Sequence, residues 1–365
     1  MDLNPDSINK ILIIKLAAIG DVMFASPLIA NLKANFPYAE VHWLADPWTK
    51  DVVEHFPRLD KVLFYGRPQL KKNKLFSYLA IPWLYANLRT ESYDLAIIPH
   101  RSDLAFKLAK LAGIPLKVGF TENTSNKNLD VAVKYDCSKH EVERNLDLLR
   151  TLDLKISTNK MVFKLNESLI QELKGKYFDK EAQKFICIAP GGGSNPGLDM
   201  PLKRWPKEKC ADLAVQLQKL GFQVILVGSG GDQEICDFIS KRCSLSRESE
   251  QLPINLCNKT TLVETAAIVK CCDLYIGNDS GLLYIAAAVG VPTLGIFGPT
   301  DPRLLAPITE NSAYLLNKTE CSPCYHPQST MQGKYENCTF DQKCLKELAV
   351  EPVFEKALKL LKQNG

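Results

Sequence analysis

The stretch Ile11-Leu12-Ile13-Ile14-Lys15-Leu16-Ala17-Ala18-Ile19-Gly20-Asp21-Val22 decides the fold class. Its four apolar residues 11–14 are typical of a buried parallel strand, because helices cover such a strand on both faces. A short turn with Gly20 and Asp21 follows, and residues 22–35 then have helical periodicity. A strand, a tight turn and a helix in this order predict the first unit of an α/β domain.

The same alternation continues along the chain and is interrupted once. Before the interruption it predicts a helix near residues 49–55 and strands at residues 41–44, 61–64 and 95–98. A polar stretch at residues 155–184, with helix-like residues 166–177, breaks the pattern. Beyond it we expect strands at residues 185–189, 223–227, 274–276 and 293–297, and helices at residues 207–220, 232–241, 262–269 and 282–289. The predicted fold is therefore α/β, with two doubly wound, Rossmann-like domains and a cleft between them.

Composition restricts the class of protein. A length of 365 residues suits two domains, and 46% apolar with 24% charged residues is typical of globular chains. The formal net charge of +4 is too small to indicate a dedicated nucleic-acid-binding protein. Residues 1–6 are polar, and no apolar run reaches about 20 uninterrupted residues, so we expect neither a signal peptide nor a spanning helix. A soluble protein of the reducing cytoplasm is predicted.

The loops that follow strands are the candidate binding site, because ligands of open α/β sheets lie at the carboxyl ends of the strands. Asp21 stands where the first helix should begin, either as its N-cap or as a general base. The segment Gly191-Gly192-Gly193-Ser194 offers backbone N–H groups to a phosphate, and Lys203 follows it. It is neither a Walker loop nor a Gly-x-Gly-x-x-Gly fingerprint, which disfavours a nicotinamide dehydrogenase.

Two more loops of the second half, residues 228–232 and 277–281, lead from a strand into a helix. Backbone amides and the helix dipole make such positions anion sites. Asp279 is unfavourable beside a phosphate, but its carboxylate can accept hydrogen bonds from the hydroxyls of a sugar. Three loops of this kind in one domain predict a phosphorylated ligand.

A family resemblance rests on seven segments. They are Ile13-Ile14-Lys15-Leu16, Gly20-Asp21-Val22, Ala25-Ser26-Pro27-Leu28, Pro190-Gly191-Gly192, Lys203-Arg204-Trp205-Pro206, Asn278-Asp279-Ser280-Gly281-Leu282 and Phe297-Gly298-Pro299-Thr300-Asp301-Pro302. In order and spacing, over roughly residues 10–305, they resemble glycosyltransferase family 9, the heptosyltransferase-like enzymes of bacterial lipopolysaccharide synthesis. The resemblance implies a GT-B fold with an acceptor-binding domain at residues 1–165, a linker at 166–183, a nucleotide-sugar-binding domain at 184–348 and a C-terminal helix at 349–365.

The resemblance also implies an activity and a set of site residues. The reaction would move a heptose from ADP-heptose to a lipid-linked lipopolysaccharide inner-core acceptor, with inversion and without a metal or other cofactor. Asp21 would be the general base and Lys203 would hold the diphosphate. The implied donor-binding residues are Gly191, Gly192, Ser194, Asp232, Glu234, Thr260, Thr261, Asp279, Ser280, Gly281 and Tyr284. Among them Thr260 and Thr261 would lie at the adenine, and Asp232 or Glu234 at the ribose.

Acceptor-binding residues are expected in the first half of the chain. They are Lys15, Gly20, His100, Arg101 and Arg144. The two arginines either bind acceptor phosphates or are ordinary surface charges.

Two departures from the family pattern leave the substrates open. Ala17 and Ala18 stand where many members carry Ser or Thr, and Tyr284 stands where many carry His. One alternative is therefore the same chemistry with another nucleotide sugar, in O-antigen, capsule or other glycan synthesis. An alternative of another class is a non-catalytic nucleotide-sugar-binding protein.

Two further features have competing interpretations. Cys321-x2-Cys324 and Cys338-x5-Cys344, with His326 as a spare ligand, resemble a four-thiolate metal site or are reduced packing cysteines, like the other eight of the twelve. The spacing of the second pair is longer than structural zinc sites use, so we expect no metal. The basic residues 71–74 precede an apolar segment at 75–81. They form either a solvated turn before a core helix or a peripheral contact with the cytoplasmic face of the inner membrane.

Overall fold

The computed structural model describes residues 7–16, 18–65, 84–122, 126–178, 184–195, 198–246, 252–325 and 338–363. The chain divides into two compact units, Met1–Val162 and Phe163–Gly365. Each unit contains its own six-stranded sheet, and the strands of both sheets pair in parallel. The basic and apolar segments at residues 71–81 lie outside the described residues, and so does His326.

The first unit is a doubly wound domain with strand order β3-β2-β1-β4-β5-β6. Its strands are β1 Lys10–Ile14, β2 Glu40–Ala45, β3 Lys61–Phe64, β4 Leu95–Ile98, β5 Leu116–Thr121 and β6 Val131–Lys134. Its helices are α1 Ile19–Ala25, α2 Pro27–Asn35, α3 Lys50–Val53, α4 Asp103–Leu111 and α5 Glu141–Arg150, with a 3-10 turn at Pro47–Thr49 and helical residues at 84–90. The chain starts in the middle of the sheet, so β1 and β4 are neighbours where the winding direction changes.

The burial of β1 explains this arrangement. Ile11, Leu12, Ile13 and Ile14 have no exposed surface, as expected of a central parallel strand. The predicted helix at residues 22–35 was wrong as a single element, because Pro27 begins a second helix and has no N–H to continue the first. The first helix begins at Ile19 with Ala18 as its N-cap, so Asp21 lies inside the first turn rather than at the cap.

The second unit repeats the topology with the order β11-β10-β7-β12-β13-β14. Its strands are β7 Phe185–Ala189, β10 Gln223–Leu226, β11 Ile254–Asn255, β12 Leu274–Asn278, β13 Thr293–Phe297 and β14 Ser312–Leu316, with a separate antiparallel pair β8 Ser194–Asn195 and β9 Leu198–Asp199. Its helices are α6 Glu167–Tyr177, α7 Lys207–Lys219, α8 Gln233–Ser246, α9 Leu262–Lys270, α10 Gly281–Ala288, α11 Pro302–Leu305, α12 Lys343–Lys346 and α13 Val350–Gln363, with 3-10 turns at Pro201–Lys203 and Gly230–Asp232.

The apolar residues of the central strands form the core of each unit. In the second unit Ile186, Ile188, Leu274 and Ile276 belong to one buried cluster that includes residues of α7, α8 and α13. The prediction of doubly wound α/β architecture is confirmed for both units. The strand predicted at residues 293–297 is present as β13, but it is not the last strand of the sheet, because β14 follows and pairs with it.

Candidate active site

In the second unit, a crevice site is expected where β7 and β12 are neighbours, because the order of the strands reverses there. The loop after β7 contains Gly192, whose φ of +96° suits glycine. A Cβ on Gly192 would lie 2.8 Å from the Cβ of Ser280, which caps the N-terminus of α10. The glycine loop and the start of α10 are therefore in close contact, and only glycine allows that approach.

Asp279, the residue before the N-cap of α10, is a buried carboxylate with three side-chain partners. Its carboxylate is 3% exposed and accepts hydrogen bonds from Lys203 Nζ at 2.7 Å, from Thr300 Oγ1 at 2.8 Å and from the hydroxyl of Tyr284. Burial alone would raise the pKa of Asp279, but the charge and hydrogen bond of Lys203, with the Tyr284 and Thr300 hydroxyls, hold that pKa below its usual value. The carboxylate is thus ionised, and it fixes the ammonium group of Lys203.

These contacts change the role expected of Asp279. The sequence suggested that it accepts hydrogen bonds from a sugar, whereas the structure shows it bound to three side chains of its own unit. Lys203 is 13% exposed and comes from the 3-10 turn Pro201–Lys203. Asp279 therefore positions Lys203, and Tyr284 stabilises Asp279.

Asn278 joins three segments of the crevice and was not among the predicted site residues. Its side-chain amide donates to the carbonyls of Pro190 at 2.8 Å and Gly191 at 2.9 Å. Its side-chain oxygen accepts from the backbone N–H of Trp205 at 3.0 Å. Because Asn278 is 2% exposed, these bonds lack competition from water. They hold the glycine loop and the segment after Lys203 against β12.

Asp232 connects the two glycine-rich loops. Its carboxylate accepts from the backbone N–H of Gly192 at 3.2 Å and from the backbone N–H and hydroxyl of Ser229 at 2.9 and 2.8 Å. A Cβ at Gly191 would overlap this carboxylate, at 1.9 Å from one of its oxygens. With 4% exposure and these contacts, Asp232 has a structural role in this structure, which disfavours the expected contact with a ribose.

The other predicted donor residues of the second unit lie at the starts of helices or, for Ser194, at the start of a strand. Thr261 caps α9, and its side chain and that of Glu264 form a reciprocal capping box. Thr260 shares a hydrogen bond of 2.8 Å with Thr265. Glu234 is exposed and pairs with Lys207 at 3.1 Å. Ser194 begins β8.

The first unit places its candidate residues at the equivalent switch point, where β1 and β4 are neighbours. Gly20 and Asp21 lie in the first turn of α1, which follows β1, and Asp21 is half-buried. Lys15 is buried and donates to the carbonyl of Pro99 at 2.7 Å. This bond ties the loop after β1 to the loop after β4.

The loop after β4 contains His100 and Arg101. The Arg101 guanidinium lies 4.2 Å from the centroid of the Tyr135 ring and 3.7 Å from Glu122. Arg144, by contrast, is 1% exposed and bonds to internal groups: Glu141, the Tyr135 hydroxyl and the carbonyls of Asp136 and Lys139. Its position disfavours the expected contact with an acceptor and favours a structural role.

The cysteines show no disulfide in the structure, where all twelve are free thiols. Cys338 Sγ accepts from the backbone N–H of Gln342 at 3.3 Å. Across the described residues, no three His, Cys, Asp or Glu side chains are grouped so as to hold a metal ion. In the same part of the chain, no helix has the length and apolarity needed to cross a membrane.

Comparison with known families identifies the type of protein. The profile of glycosyltransferase family 9 (heptosyltransferase) matches residues 83–335, well over half of the chain. The chain belongs to glycosyltransferase family 9. It is therefore a glycosyltransferase, and the two switch-point crevices are the candidate substrate sites of such an enzyme.

The similar proteins carry consistent names. The chain is 26% identical to lipopolysaccharide heptosyltransferase 2 of Salmonella typhimurium over 98% of this chain and 99% of that protein. It is 27% identical to lipopolysaccharide heptosyltransferase 2 of Escherichia coli over 83% of this chain and 86% of that protein.

Solved structures show the same fold. The E. coli ADP-heptose lps heptosyltransferase II structure has a TM-score of 0.75 and 23% identity, with 97% of this chain and 99% of that chain covered. The glycosyl transferase family 9 structure from Veillonella parvula has a TM-score of 0.78 and 21% identity, with 97% of each chain covered. The expected GT-B fold class is confirmed.

Proposed function

We propose that this glycosyltransferase moves a heptose from ADP-heptose to a hydroxyl group of a lipopolysaccharide inner-core acceptor. The observation that carries the proposal is the Lys203–Asp279 pair, set beside Ser280 at the switch point of a family 9 chain. A fixed ammonium group next to a helix N-terminus suits the diphosphate of a nucleotide sugar. The names of the similar proteins supply the donor sugar and the acceptor class.

On this proposal, the second unit binds the donor and the first binds the acceptor. Asp21 takes the proton of the acceptor hydroxyl as its oxygen attacks the anomeric carbon. The bond between that carbon and the diphosphate oxygen breaks, and ADP leaves with the electron pair. One displacement inverts the anomeric configuration. Lys203 and the amides at Ser280–Gly281 stabilise the charge that grows on the leaving diphosphate, so the reaction requires no metal.

Calorimetric titration with ADP, UDP, GDP and ADP-heptose, in the presence of EDTA, tests the donor. We expect ADP and ADP-heptose to bind more tightly than UDP or GDP. Preference for UDP or GDP would refute the heptose donor while leaving glycosyl transfer in place. Transfer to a truncated lipopolysaccharide core should then persist in EDTA, and its loss would refute metal independence.

Substitution of Asp21 tests the catalytic assignment. Asp21→Asn should reduce turnover by at least about 100-fold, the usual contribution of a general base, while ADP-heptose binds as before. The matched control is Asp51→Asn, since Asp51 also lies in the first turn of a helix in the same unit, after β2 rather than β1. Equal turnover of both variants would remove Asp21 from the mechanism. A wild-type protein that binds ADP-heptose but never transfers it would favour the non-catalytic alternative.

Tyr284 favours one second candidate function. Its hydroxyl binds Asp279 at the position where many family members carry His, so the surroundings of the donor diphosphate differ from theirs. The same chemistry with another nucleotide sugar, in O-antigen, capsule or other glycan synthesis, is this second candidate. The nucleotide titration separates the two.

The acceptor on this proposal is anchored in a lipid, so the enzyme works at the cytoplasmic face of the inner membrane. Co-sedimentation with vesicles containing anionic lipid tests the contact. We expect binding that weakens as salt is raised, because exposed charges attract at short range only. Equal binding to neutral vesicles would refute an electrostatic contact.

A further inference from the structure

Three neighbouring strands of the first unit bring a cation, an aromatic ring and a carboxylate together. β4, β5 and β6 are adjacent and parallel, so their carboxyl ends meet at one edge of the sheet. Arg101 follows β4, Glu122 follows β5 and Tyr135 follows β6. Because β4 also neighbours β1, Arg101 lies one strand away from the loop that carries Asp21, and adjacent strands are about 5 Å apart.

The ring of Tyr135 is held rigidly from two sides. Its hydroxyl donates to Glu141 at 3.2 Å and accepts from Arg144, while its ring meets the buried Phe120 edge-on with centroids 5.3 Å apart. Burial and the carboxylate of Glu141 raise the pKa of Tyr135, so the hydroxyl stays neutral. Arg144 lies over the same ring, 4.2 Å from its centroid. Tyr135, Glu141, Arg144 and Phe120 form a fixed platform.

Arg101 lies over this platform, with the central carbon of its guanidinium 4.2 Å from the centroid of the Tyr135 ring. A guanidinium held over an aromatic ring keeps its planar set of N–H groups, and two of these can bind a carboxylate or phosphate through parallel hydrogen bonds. The Arg101 side chain is 33% exposed, and its ion pair with Glu122 is long, at 3.7 Å, with Glu122 78% exposed. Such an exposed ion pair is weak, so a ligand anion can displace Glu122.

We propose that Arg101, oriented by Tyr135, binds an anionic group of the acceptor, a carboxylate or a phosphate ester next to the hydroxyl that reacts. The inference rests on the proposed function, since it deepens the acceptor site of that reaction. Tyr135 is a positioning residue, and Arg144 acts through it. Arg101 binds the negative group of the acceptor, and this group is thereby kept away from the carboxylate of Asp21.

Steady-state transfer with three acceptors tests this assignment. The acceptors are a truncated lipopolysaccharide core, the same core with its phosphates removed, and the same core with its carboxylates reduced to alcohols. Arg101→Gln should raise the acceptor KM at least about ten-fold on the intact core and leave the ADP-heptose KM unchanged. One of the two modified cores should lose this difference between variant and wild type, and that core identifies the anion. If the ratio of the acceptor KM of Arg101→Gln to that of wild type is the same for all three acceptors, the proposal is wrong.

Two variants of Tyr135 separate positioning from general damage to the fold. Tyr135→Leu removes the ring and should raise the acceptor KM in the same direction as Arg101→Gln, whereas Tyr135→Phe keeps the ring and should restore most of the affinity. The control is Arg58→Gln, which removes an exposed arginine just before β3, at the opposite edge of the sheet. An effect of Arg58→Gln as large as that of Arg101→Gln would reduce the result to general electrostatics and overturn the proposal.

Direct binding distinguishes failure of this inference from failure of the proposed function. The probe is the deacylated core oligosaccharide with its phosphates and carboxylates intact, titrated calorimetrically into wild type and Arg101→Gln. Binding by wild type that weakens at least about ten-fold in the variant supports the anion site even if no heptose is transferred. Equal binding by both proteins overturns the site even if the transfer reaction is confirmed.

Discussion

The hydroxyl of Tyr284 should contribute measurably to the stability of the second unit. Tyr284→Phe removes a donor to the carboxylate of Asp279, which is 3% exposed, so no water can replace the lost bond. A hydrogen bond to a charged group contributes about 2 kcal/mol, within a range of about 1.5–3. Lys203 and Thr300 still bind the carboxylate, so the loss should stay within that range rather than reach the cost of an unpaired buried charge.

Tyr275→Phe is the matched control for this prediction. Tyr275 is also a fully buried tyrosine of the second unit, but its hydroxyl lies near Ser280 without a hydrogen bond of good geometry. Removing it should leave the free energy of unfolding unchanged or raise it by up to about 1 kcal/mol, because an unsatisfied buried group disappears. Hydrogen exchange of peptides covering β12, measured against urea concentration, gives the free energy of unfolding of this unit in both variants.

The pH dependence gives the prediction a second test. The pKa of Asp279 is below its usual value in the folded protein, so the ionised carboxylate contributes stability above about pH 4, and that stability is lost as pH falls through the folded-state pKa. The difference between Tyr284→Phe and wild type should therefore be complete at pH 7 and shrink below about pH 4. A loss under about 0.5 kcal/mol at pH 7, or an equal loss from Tyr275→Phe, would refute the assigned hydrogen bond.

Three further predictions follow from buried charges. Lys203→Met should weaken ADP binding at least about ten-fold by calorimetry, and unchanged affinity would remove Lys203 from the donor site. The Asp232 carboxylate accepts hydrogen bonds from the amides of Gly192 and Ser229, so Asp232→Ala should accelerate hydrogen exchange at these two amides. An unchanged circular dichroism spectrum would confirm that the variant keeps its secondary structure. Arg144→Met should destabilise the first unit by about 3–5 kcal/mol in urea unfolding, because the buried carboxylate of Glu141 loses its cation and keeps only the Tyr135 hydroxyl as a donor. Adding Glu141→Gln should recover part of that loss, and no recovery would contradict the ion-pair explanation.

The central strands were predictable from the sequence because their physical signal is local. Ile11–Ile14 and residues 185–189 are continuous apolar runs, and both form buried parallel strands. The edge strand β3 was predicted as well, but the central strand β5 was missed because Lys117 and Gly119 interrupt its apolar residues. Two edge strands, β6 and β14, were missed for a different reason. β6 and β14 are only partly buried, so their residues lack the apolar run of a central strand. The helix predicted at residues 22–35 failed at Pro27, where proline can begin a helix as well as end one.

The candidate site was predictable as a set of loops, but its contacts were not. Glycine runs after strands indicated the candidate loops, whereas the bonds of Asn278 to Pro190 and Gly191 join residues 88 and 87 positions apart. Thr300 reaches Asp279 across 21 positions for the same reason, since β12 and β13 are neighbours in the sheet. Neither contact has a periodicity or spacing that a sequence can show. That Asp279 holds Lys203 was therefore visible only in the structure.

Lys203 and Arg101, the cations of the two proposed subsites, share one physical property: each is oriented before a substrate arrives. Asp279 holds Lys203 in the second unit, and the ring of Tyr135 holds Arg101 in the first. A free lysine or arginine side chain loses up to about 2 kcal/mol of conformational entropy when it is fixed, and here folding supplies that cost before binding. An oriented charge also needs no rearrangement as negative charge grows on a leaving group. It follows that Arg101→Lys, which keeps the charge but loses the planar, two-pronged guanidinium, should bind the acceptor nearly as poorly as Arg101→Gln. Affinity close to wild type would show that charge alone is sufficient.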